Sequence, residues 1–449
     1  NMPGAIRLSG NLNIDALEYA LSEVVRRHEV LRTSFQAENG TPLQIINPKA
    51  TLKLKVVNLQ DYQATEREAI VQNQFKSEAV TPFDLETAPL IRCSLLQLDT
   101  TELVLLLTMH HIISDGWSIG ILLQELSILY SAYIQGEVSP LPELVIQYAD
   151  FAVWQRQWLN ESVLEEQLNY WKQQLAEIPE LLQLPTDRSR PAVQTYQGAT
   201  HNFILDTELT QKFYSLSGKS GTTLFIFLQA ALATLLYRYS GQSDIAIGSP
   251  IANRNRSEME SLMGFFVNTF VLRTHLEDNP SFEKLLAQVR ETTLKAYEYQ
   301  DVPFEKVVEA LKPERSLSYS PLFQVMFSLE NTPMGELKLP DVTLNLLELE
   351  SLTAKFDLTL SMKETTDGLM GTWEYNTDLF DSSTIERMAG HFQNLLEAIV
   401  ENPQQKIGEL PLLTERERHQ LLVEWNDTQT EYPQDKCIHQ LFEEQAEKT

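Results

Sequence analysis

The chain has 449 residues, which is too many for one compact hydrophobic core and predicts two or three domains or subdomains. Its formal net charge of −27 argues against a nucleic-acid partner, because nucleic-acid binders present a basic surface. The two cysteines, Cys93 and Cys437, exclude a disulfide framework and a cysteine-rich metal site. Residues 1–4 do not resemble a signal peptide, and no uninterrupted apolar stretch reaches membrane-spanning length. We therefore expect a bacterial cytoplasmic protein without a membrane partner.

The first part of the chain mixes helix and strand patterns. Asn13 has the side chain of a helix N-cap, and the apolar spacing after it predicts a helix. A charged helix is predicted near residues 62–79, and apolar runs predict strands at residues 90–98 and 103–109. The run at 103–109, LVLLLTM, is continuous, which is typical of a strand buried on both faces. Helical patterns follow from residue 117 and over residues 148–175.

Residues 184–191, LPTDRSRP, interrupt this periodicity and predict a linker between two halves. After the linker the patterns predict strands at 200–205, 244–251 and 370–376, and helices at 223–239 and 281–299. A last helix is expected to begin with a capping box formed by Ser383 and Glu386. This order predicts an α/β fold with mixed sheets and flanking helices.

The run that follows the strand at 103–109 carries the most informative chemistry. It reads HHIISDGW and contains His110, His111, Asp115, Gly116 and Trp117. Because side chains alternate across a strand, we expect the two histidines to point to opposite faces, one buried and one towards a cleft. A histidine transfers protons near neutral pH, and a glycine N–H can face a developing oxyanion. The simpler alternative is two core histidines followed by an ordinary Asp-Gly turn.

Other chemistries do not fit the spacing. The His28-Glu29 pair lacks the second histidine of a zinc-binding HExxH motif, and Gly218-Lys219-Ser220 lacks the first glycine of a phosphate-binding loop. The sequence has no G-x-S-x-G nucleophile elbow. We predict no metal site.

Several separate motifs, in a fixed order, make the chain resemble the condensation domain of nonribosomal peptide synthetases. The matching segments are RHEVLRTSF at 27–35, MHHIISDGWS at 109–118, YADFAVW at 148–154, MGFFVNTFVLR at 263–273 and QDVPFEKVV at 300–308. Two departures stand out. The family's first motif is missing, so we expect the fragment to begin after it. In the late motif at 315–325, Ser316 replaces an acid and Tyr319 replaces an arginine, in a segment expected to be structural.

The resemblance implies two chloramphenicol acetyltransferase-like subdomains, arranged as a V-shaped pseudo-dimer around a central tunnel. We expect the first at residues 1–180 and the second at 181–425. Residues 426–449 would then be a linker and the start of a following adenylation domain. Donor and acceptor carrier domains would deliver substrates on phosphopantetheine arms, with no cofactor bound by the chain itself. The residues around His111 favour the elongation subtype that accepts an L-configured donor.

The resemblance also implies roles for the residues of the histidine turn. His111 would be catalytic, either taking a proton from the attacking amine or orienting that amine. His110 would be structural. Asp115 would orient the turn through a buried ion pair with an arginine, for which the candidates are Arg27, Arg32 and Arg315.

The remaining candidates line the expected tunnel. Gly116 would offer its N–H to the oxyanion or serve only as a turn glycine. Trp117 would form tunnel wall or core, and Asn268 would bond across the tunnel or cap a strand end. Two other functions remain open: epimerisation or acyl transfer to a small amine by the same fold, and a non-catalytic recruitment module.

Overall fold

The computed structural model describes residues 1–50, 52–330, 338–347, 353–431 and 435–448. Within these residues the strands are β1 (Met2–Gly10), β2 (Thr33–Glu38), β3 (Thr41–Ile46), β4 (Lys55–Asn58), β5 (Ile91–Gln97), β6 (Glu102–Met109), β7 (Gly198–Asp206), β8 (Asp244–Ile251), β9 (Asn268–His275), β10 (Val325–Glu330), β11 (Val342–Leu346), β12 (Leu358–Thr365) and β13 (Gly368–Asn376).

The helices are α1 (Ile14–Arg27), α2 (Ala64–Val80), α3 (Gly116–Gln135), α4 (Tyr148–Trp158), α5 (Glu161–Gln174), α6 (Thr207–Lys219), α7 (Leu224–Ser240), α8 (Ser257–Glu260), α9 (Phe282–Glu298), α10 (Phe304–Leu311), α11 (Ser382–Glu401), α12 (Glu415–Leu422) and α13 (Ile438–Lys448). The mixture of sheets and flanking helices confirms the predicted fold class.

The first sheet has the strand order β11-β1-β6-β5-β4 within the described residues. Its central strand β6 is the continuous apolar run that the sequence predicted to be buried, and β1 and β5 flank it in antiparallel pairing. Helices α1 and α3 pack together, and their apolar faces share one core with this sheet. Asn13 caps α1 as predicted, since its Oδ1 accepts the N–H of Ala16 at 3.0 Å.

The second sheet has the order β7-β13-β12-β10-β8-β9. Its core contains the nearly continuous apolar helix α7, together with α9 and α11. Although β11 lies between β10 and β12 in the sequence, it pairs with β1 at the edge of the first sheet, with Ile6 opposite Leu346. The two halves therefore share a sheet.

Helix α3 is long and apolar enough, by length and composition, to cross a membrane, although polar residues such as Gln124 and Glu125 interrupt its apolar sequence. Half of that window is buried inside the fold. The bent pair α6–α7 passes the same test when its two helices are taken together. Core helices of water-soluble proteins have the same composition, so the burial of α3 against α1 accounts for its character.

Two predicted helical regions differ from the observed helices in where the helices begin or end. The region 148–175 is interrupted at residues 159–160, because Asn160 caps a new helix by accepting the N–H of Val163. The capping box at Ser383 is wrong, since α11 already begins at Ser382 and its N-cap is Asp381. Glu386 therefore lies beyond the third helical position that a capping box requires.

The predicted boundary near residue 180 lies in an irregular segment. Residues 184–191 run along the C-terminal half, where the N–H of Asp187 donates to the Leu379 carbonyl and Arg190 pairs with Asp357. Helix α5 precedes the boundary, yet its Trp171, together with Leu175 just after the helix, packs with strands β8 and β9. Residues 432–434 and 449 of the predicted C-terminal segment lie outside the described residues. The terms N-terminal half and C-terminal half denote residues 1–180 and 181–425.

Candidate functional site

The histidine turn begins where β6 ends. Both histidines follow the strand, because Met109 is its last residue and His111 opens a single 3₁₀ turn, His111–Ile113. Strand alternation therefore does not orient them, contrary to the sequence interpretation. The rings nevertheless have different neighbours. His110 contacts the Phe83 ring of its own half at 6.0 Å between centroids, and His111 contacts Phe265 of the C-terminal half at 5.0 Å.

The hydrogen bonds of His111 define its tautomer. Its Nδ1 lies 2.7 Å from the carbonyl oxygen of Ser114. Since a carbonyl only accepts hydrogen bonds, Nδ1 carries the proton and Nε2 is left with its lone pair. Burial lowers the pKa of His111, although the hydrogen bond to Ser114 acts in the opposite direction. The imidazole is therefore neutral at pH 7 and able to accept a proton at Nε2.

His110 has a structural environment. Its Nδ1 accepts the N–H of Ile112 at 3.0 Å, so the ring caps the turn that carries His111. Burial lowers the pKa of His110. The structural role of His110 stays a prediction.

Asp115 is buried, and its partner is Arg254. The side chain of Asp115 caps α3 by accepting the N–H of Ser118 at 2.9 Å. The Nη2 atom of Arg254 lies 3.1 and 3.3 Å from the two carboxylate oxygens. An orienting ion pair was expected, but none of the three candidate arginines supplies it. A residue of the C-terminal half does so instead.

The three arginines that were candidates for pairing with Asp115 have other partners or lie away from the histidine turn. Arg27 is buried against Glu125 of α3, at 3.0 Å. Arg32 donates to the Asn47 carbonyl at 2.6 Å and pairs with Glu29. Arg315 lines a surface cavity of about 560 Å³ that contains no residue of the histidine turn.

Both terminal nitrogens of Arg254 are held by hydrogen bonds. Its Nη1 donates to the carbonyls of Met259 and Leu262 at 2.6 and 2.7 Å, and its guanidinium lies 4.1 Å from the centre of the Phe266 ring. Burial lowers the pKa of Arg254, with Asp115 acting in the opposite direction. An arginine nevertheless stays protonated at neutral pH, so the pair is ionic. The sequence analysis missed this residue, and the available signal was a basic side chain just after the buried strand β8.

Gly116 is the first residue of α3 and is exposed. Its N–H belongs to the first helical turn, where N–H groups have no acceptor within the helix and the helix dipole favours negative charge. A Cβ built on Gly116 would meet no atom within 4 Å. The position therefore has an available donor with open space beside it, as the oxyanion role requires.

Trp117 and Asn268 both make contacts within the protein. Trp117 is half-buried, and its Nε1 donates to the Glu260 carbonyl of the C-terminal half at 2.9 Å. The Asn268 Nδ2 donates to the carbonyls of Gln300 and Val302, at 2.8 Å each, and its Oδ1 accepts the N–H of Phe304. The structure thus places Asn268 as the tie between the start of β9 and the turn before α10.

A cavity of about 220 Å³ lies between the halves beside this site. Phe265, whose other neighbour is the His111 ring, is part of its wall. The cavity is lined by Tyr148, Phe151, Gln155, Asn253, Phe265, Phe266, Val267, Asn268, Thr269, Pro303, Phe304 and Glu305. Among the residues that the structure describes, no cluster of three or more His, Cys, Asp or Glu side chains could hold a metal ion.

Comparison with known proteins gives a consistent result. The family model "Condensation domain" matches residues 1–422. The chain is 52% identical, along its whole length, to a linear gramicidin synthase subunit of Brevibacillus parabrevis, and 45% identical to malpibaldin synthetase of Mortierella alpina. It spans 9% and 8% of those relatives, that is, less than a tenth of their length.

Solved structures share the fold. The X-domain from teicoplanin biosynthesis is 30% identical, with a TM-score of 0.82 over 92% of this chain and 93% of that chain. A four-domain nonribosomal peptide synthetase bound to AMP and glycine is 26% identical, with a TM-score of 0.83 over 93% of this chain and 32% of that chain.

Proposed function

The chain belongs to the condensation-domain family, and we propose that it joins two carrier-bound substrates through a peptide bond. Peptide-bond formation is the function that this family performs in nonribosomal peptide synthetases, and the similar gramicidin synthase subunit is such an enzyme. The acceptor's amine attacks the thioester carbonyl of the donor. The new C–N bond forms first and gives a tetrahedral oxyanion, which collapses as the C–S bond breaks. The proton lost by the amine balances the one that the leaving thiolate takes up.

The observation that carries this proposal is the state of His111 at the boundary between the halves. The Ser114 carbonyl holds the proton on Nδ1, and burial keeps the ring neutral, so Nε2 has a free lone pair that can accept a proton. In this state His111 serves as the general base or as the hydrogen-bond acceptor that orients the amine. The two roles differ in whether the proton is transferred to Nε2 during the attack.

The N–H of Gly116 is a suitable donor for the negative charge that develops on the thioester oxygen during the attack. Its N–H lies at the start of α3, next to open space, where it would stabilise the tetrahedral oxyanion. Asp115 is a positioning residue in this scheme. It holds the start of α3 against Arg254 and does not itself contact the reacting atoms.

The remaining assignments follow from this function. Donor and acceptor carrier domains would be the partners and would deliver thioesters on phosphopantetheine arms, while an adenylation domain would adjoin residues 426–449. The donor would be L-configured, the setting would be the bacterial cytoplasm, and no cofactor would bind to the chain itself. Trp117 and Asn268 would contribute to the walls of the substrate path, while His110, Arg27, Arg32 and Arg315 would be structural.

The test is a single-turnover assay that compares wild type with His111→Ala. It uses the full chain, a donor aminoacyl carrier and an acceptor aminoacyl carrier, and mass spectrometry of the acceptor arm. We expect dipeptide from wild type and a loss of about 10²–10⁴-fold in rate for a folded His111→Ala, the range that one acid–base group contributes. His201→Ala, on strand β7 of the second sheet, is the control for removal of one imidazole away from the histidine turn. Equal rates for wild type and His111→Ala would contradict a catalytic His111.

The same assay separates the alternatives. If wild type forms no dipeptide but inverts the donor's α-carbon, or acylates a small amine, the fold performs that other reaction. If it is folded and inert towards every carrier pair, a recruitment role becomes the better explanation. The teicoplanin X-domain has also been solved as a complex with OxyB, so a protein of this fold takes part in a protein complex.

A further inference from the structure

Residues 263–266 of the C-terminal half are held by side chains of the N-terminal half. The N–H of Gly264 donates to the Ser118 hydroxyl at 3.0 Å, and the N–H of Phe266 donates to Asp115 at 3.1 Å. A longer contact of 3.4 Å joins the N–H of Met263 to His28 Nδ1. We call residues 263–266 the clamped segment.

A carbonyl group of the clamped segment is also held by the N-terminal half. The Tyr148 hydroxyl donates to the Phe265 carbonyl at 2.9 Å, and burial raises the pKa of Tyr148 to about 12, so the donor keeps its proton. The Tyr148 ring lies so close to Gly264 that an added Cβ would come within 2.2 Å of it. Only glycine fits there. The backbone of the clamped segment is therefore positioned by the half that carries His111.

Two neighbouring phenylalanines leave this segment in different directions. Phe266 is 2% exposed and packs against Tyr148, Phe151 and the Arg254 guanidinium. Phe265 is 38% exposed, although it lies between two halves of a folded protein. Its ring meets the His111 imidazole at 5.0 Å and 74°, the edge-to-face arrangement that aromatic rings prefer.

The contact between Phe265 and His111 restrains the orientation of the imidazole ring, which the hydrogen bond of His111 leaves free. A single bond from Nδ1 to the Ser114 carbonyl fixes one atom of the imidazole but leaves the ring free to swing about that atom. A second contact on the ring, from Phe265, fixes its plane and hence the direction of the Nε2 lone pair.

We propose that Phe265 is a positioning residue for His111: the clamped segment places its ring so that the His111 imidazole plane is fixed. The C-terminal half would thereby complete a catalytic group of the N-terminal half. The inference rests on the proposed function for its effect on rate, but its geometric part does not, and the experiment separates the two.

The geometric readout is the NMR signal of the His111 ring. The chain has eight histidines, few enough to resolve with isotope-labelled histidine rings, and His111→Ala identifies the signal. Phe265→Leu should move this signal, because the ring current is lost, and broaden it, because the imidazole gains motion. Phe265→Tyr should restore it. Phe270→Leu is the control for the same substitution at another site. Phe270 is 2% exposed and packs on Tyr297, away from His111.

The kinetic readout is the split between kcat and KM. Phe265→Leu should lower kcat about two- to tenfold, with KM for either carrier nearly unchanged, as expected for the loss of one aromatic contact. Phe270→Leu should lower the unfolding temperature without moving the His111 signal. A His111 signal that stays in place in Phe265→Leu would overturn the proposal. A signal that moves in an enzyme without condensation activity would leave the positioning intact and refute only the proposed function.

Discussion

Two buried carboxylates on helix α3 differ in where their partners come from. Asp115, at the first turn, pairs with Arg254 of the C-terminal half. Glu125, further along the same helix, pairs with Arg27 and His28 of its own half, each at 3.0 Å. The first pair forms only when the two halves are assembled, whereas the second is complete within one of them. Helix α3 therefore carries one ion pair for assembly and one for its local core.

The same contrast explains the mistaken partner of Asp115. Arg27 was a reasonable candidate, since a buried carboxylate on α3 does claim it. That carboxylate is Glu125, which lies beside α1 in the packed helices. Asp115, at the N-terminal end of α3, faces the other half. Burial demands a counter-charge, but the position along the helix decides which one is within reach.

The largest effect is expected from Asp115→Ala. The change leaves Arg254 buried without its carboxylate, removes the cap of α3 and frees the N–H of Phe266. We expect a loss of about 3–5 kcal/mol in the free energy of unfolding, together with loss of condensation activity. Urea unfolding followed by circular dichroism measures the first quantity. Asp115→Asn keeps an acceptor for the cap and should lose less, and an unchanged stability of Asp115→Ala would refute the ion pair.

A smaller effect is expected from Glu125→Gln. The amide oxygen still accepts one hydrogen bond, but the charge that faces Arg27 and His28 is gone. We expect a loss of about 1.5–3 kcal/mol in the free energy of unfolding, the range for hydrogen bonds to charged groups. Activity of the folded fraction should exceed that of Asp115→Ala, since the Arg254 pair persists. Equal losses of activity would mean that the two clusters do not act separately.

The smallest expected effect is a pH dependence of the stability that Glu125 contributes to the folded protein. Burial opposes ionisation of Glu125, but the hydrogen bonds and charges of His28 and Arg27 outweigh it and lower its pKa. A lowered folded-state pKa gives stability that is present above the ordinary glutamate pKa, ~4.3, and lost as the pH falls through the lowered value. The stability difference between wild type and Glu125→Gln should therefore be constant near neutral pH and shrink in acid. Urea titrations at several pH values test this, and a difference that persists in strong acid would contradict it.

Local patterns in the sequence predicted the elements well, because they depend on neighbouring residues. The strand expected at 103–109 is Glu102–Met109, and the helix expected at 281–299 is Phe282–Glu298. Asn160 was the local signal that the sequence interpretation overlooked, and it divides the region 148–175 into two helices.

The site could be predicted only in part. His111, Asp115 and Gly116 are close in sequence, so one motif located them together. Arg254 lies 139 residues from Asp115 and follows no periodic pattern, so only the packing of the halves reveals it. The position of Phe265 beside His111 could not be predicted, because the sequence does not distinguish its exposed ring from that of its buried neighbour Phe266.

The pairing of β11 with β1 has a consequence for how the protein is made. The ribosome releases β1 before its inner neighbour β6, which follows about a hundred residues later. The outer edge of β1 pairs with β11 only after residues 342–346 emerge, about 330 residues after β1. Unpaired strand edges are templates for association with other chains. A nascent chain of this protein therefore carries an open sheet edge while the residues between β1 and β11 are made, and in that interval it is exposed to association with other chains.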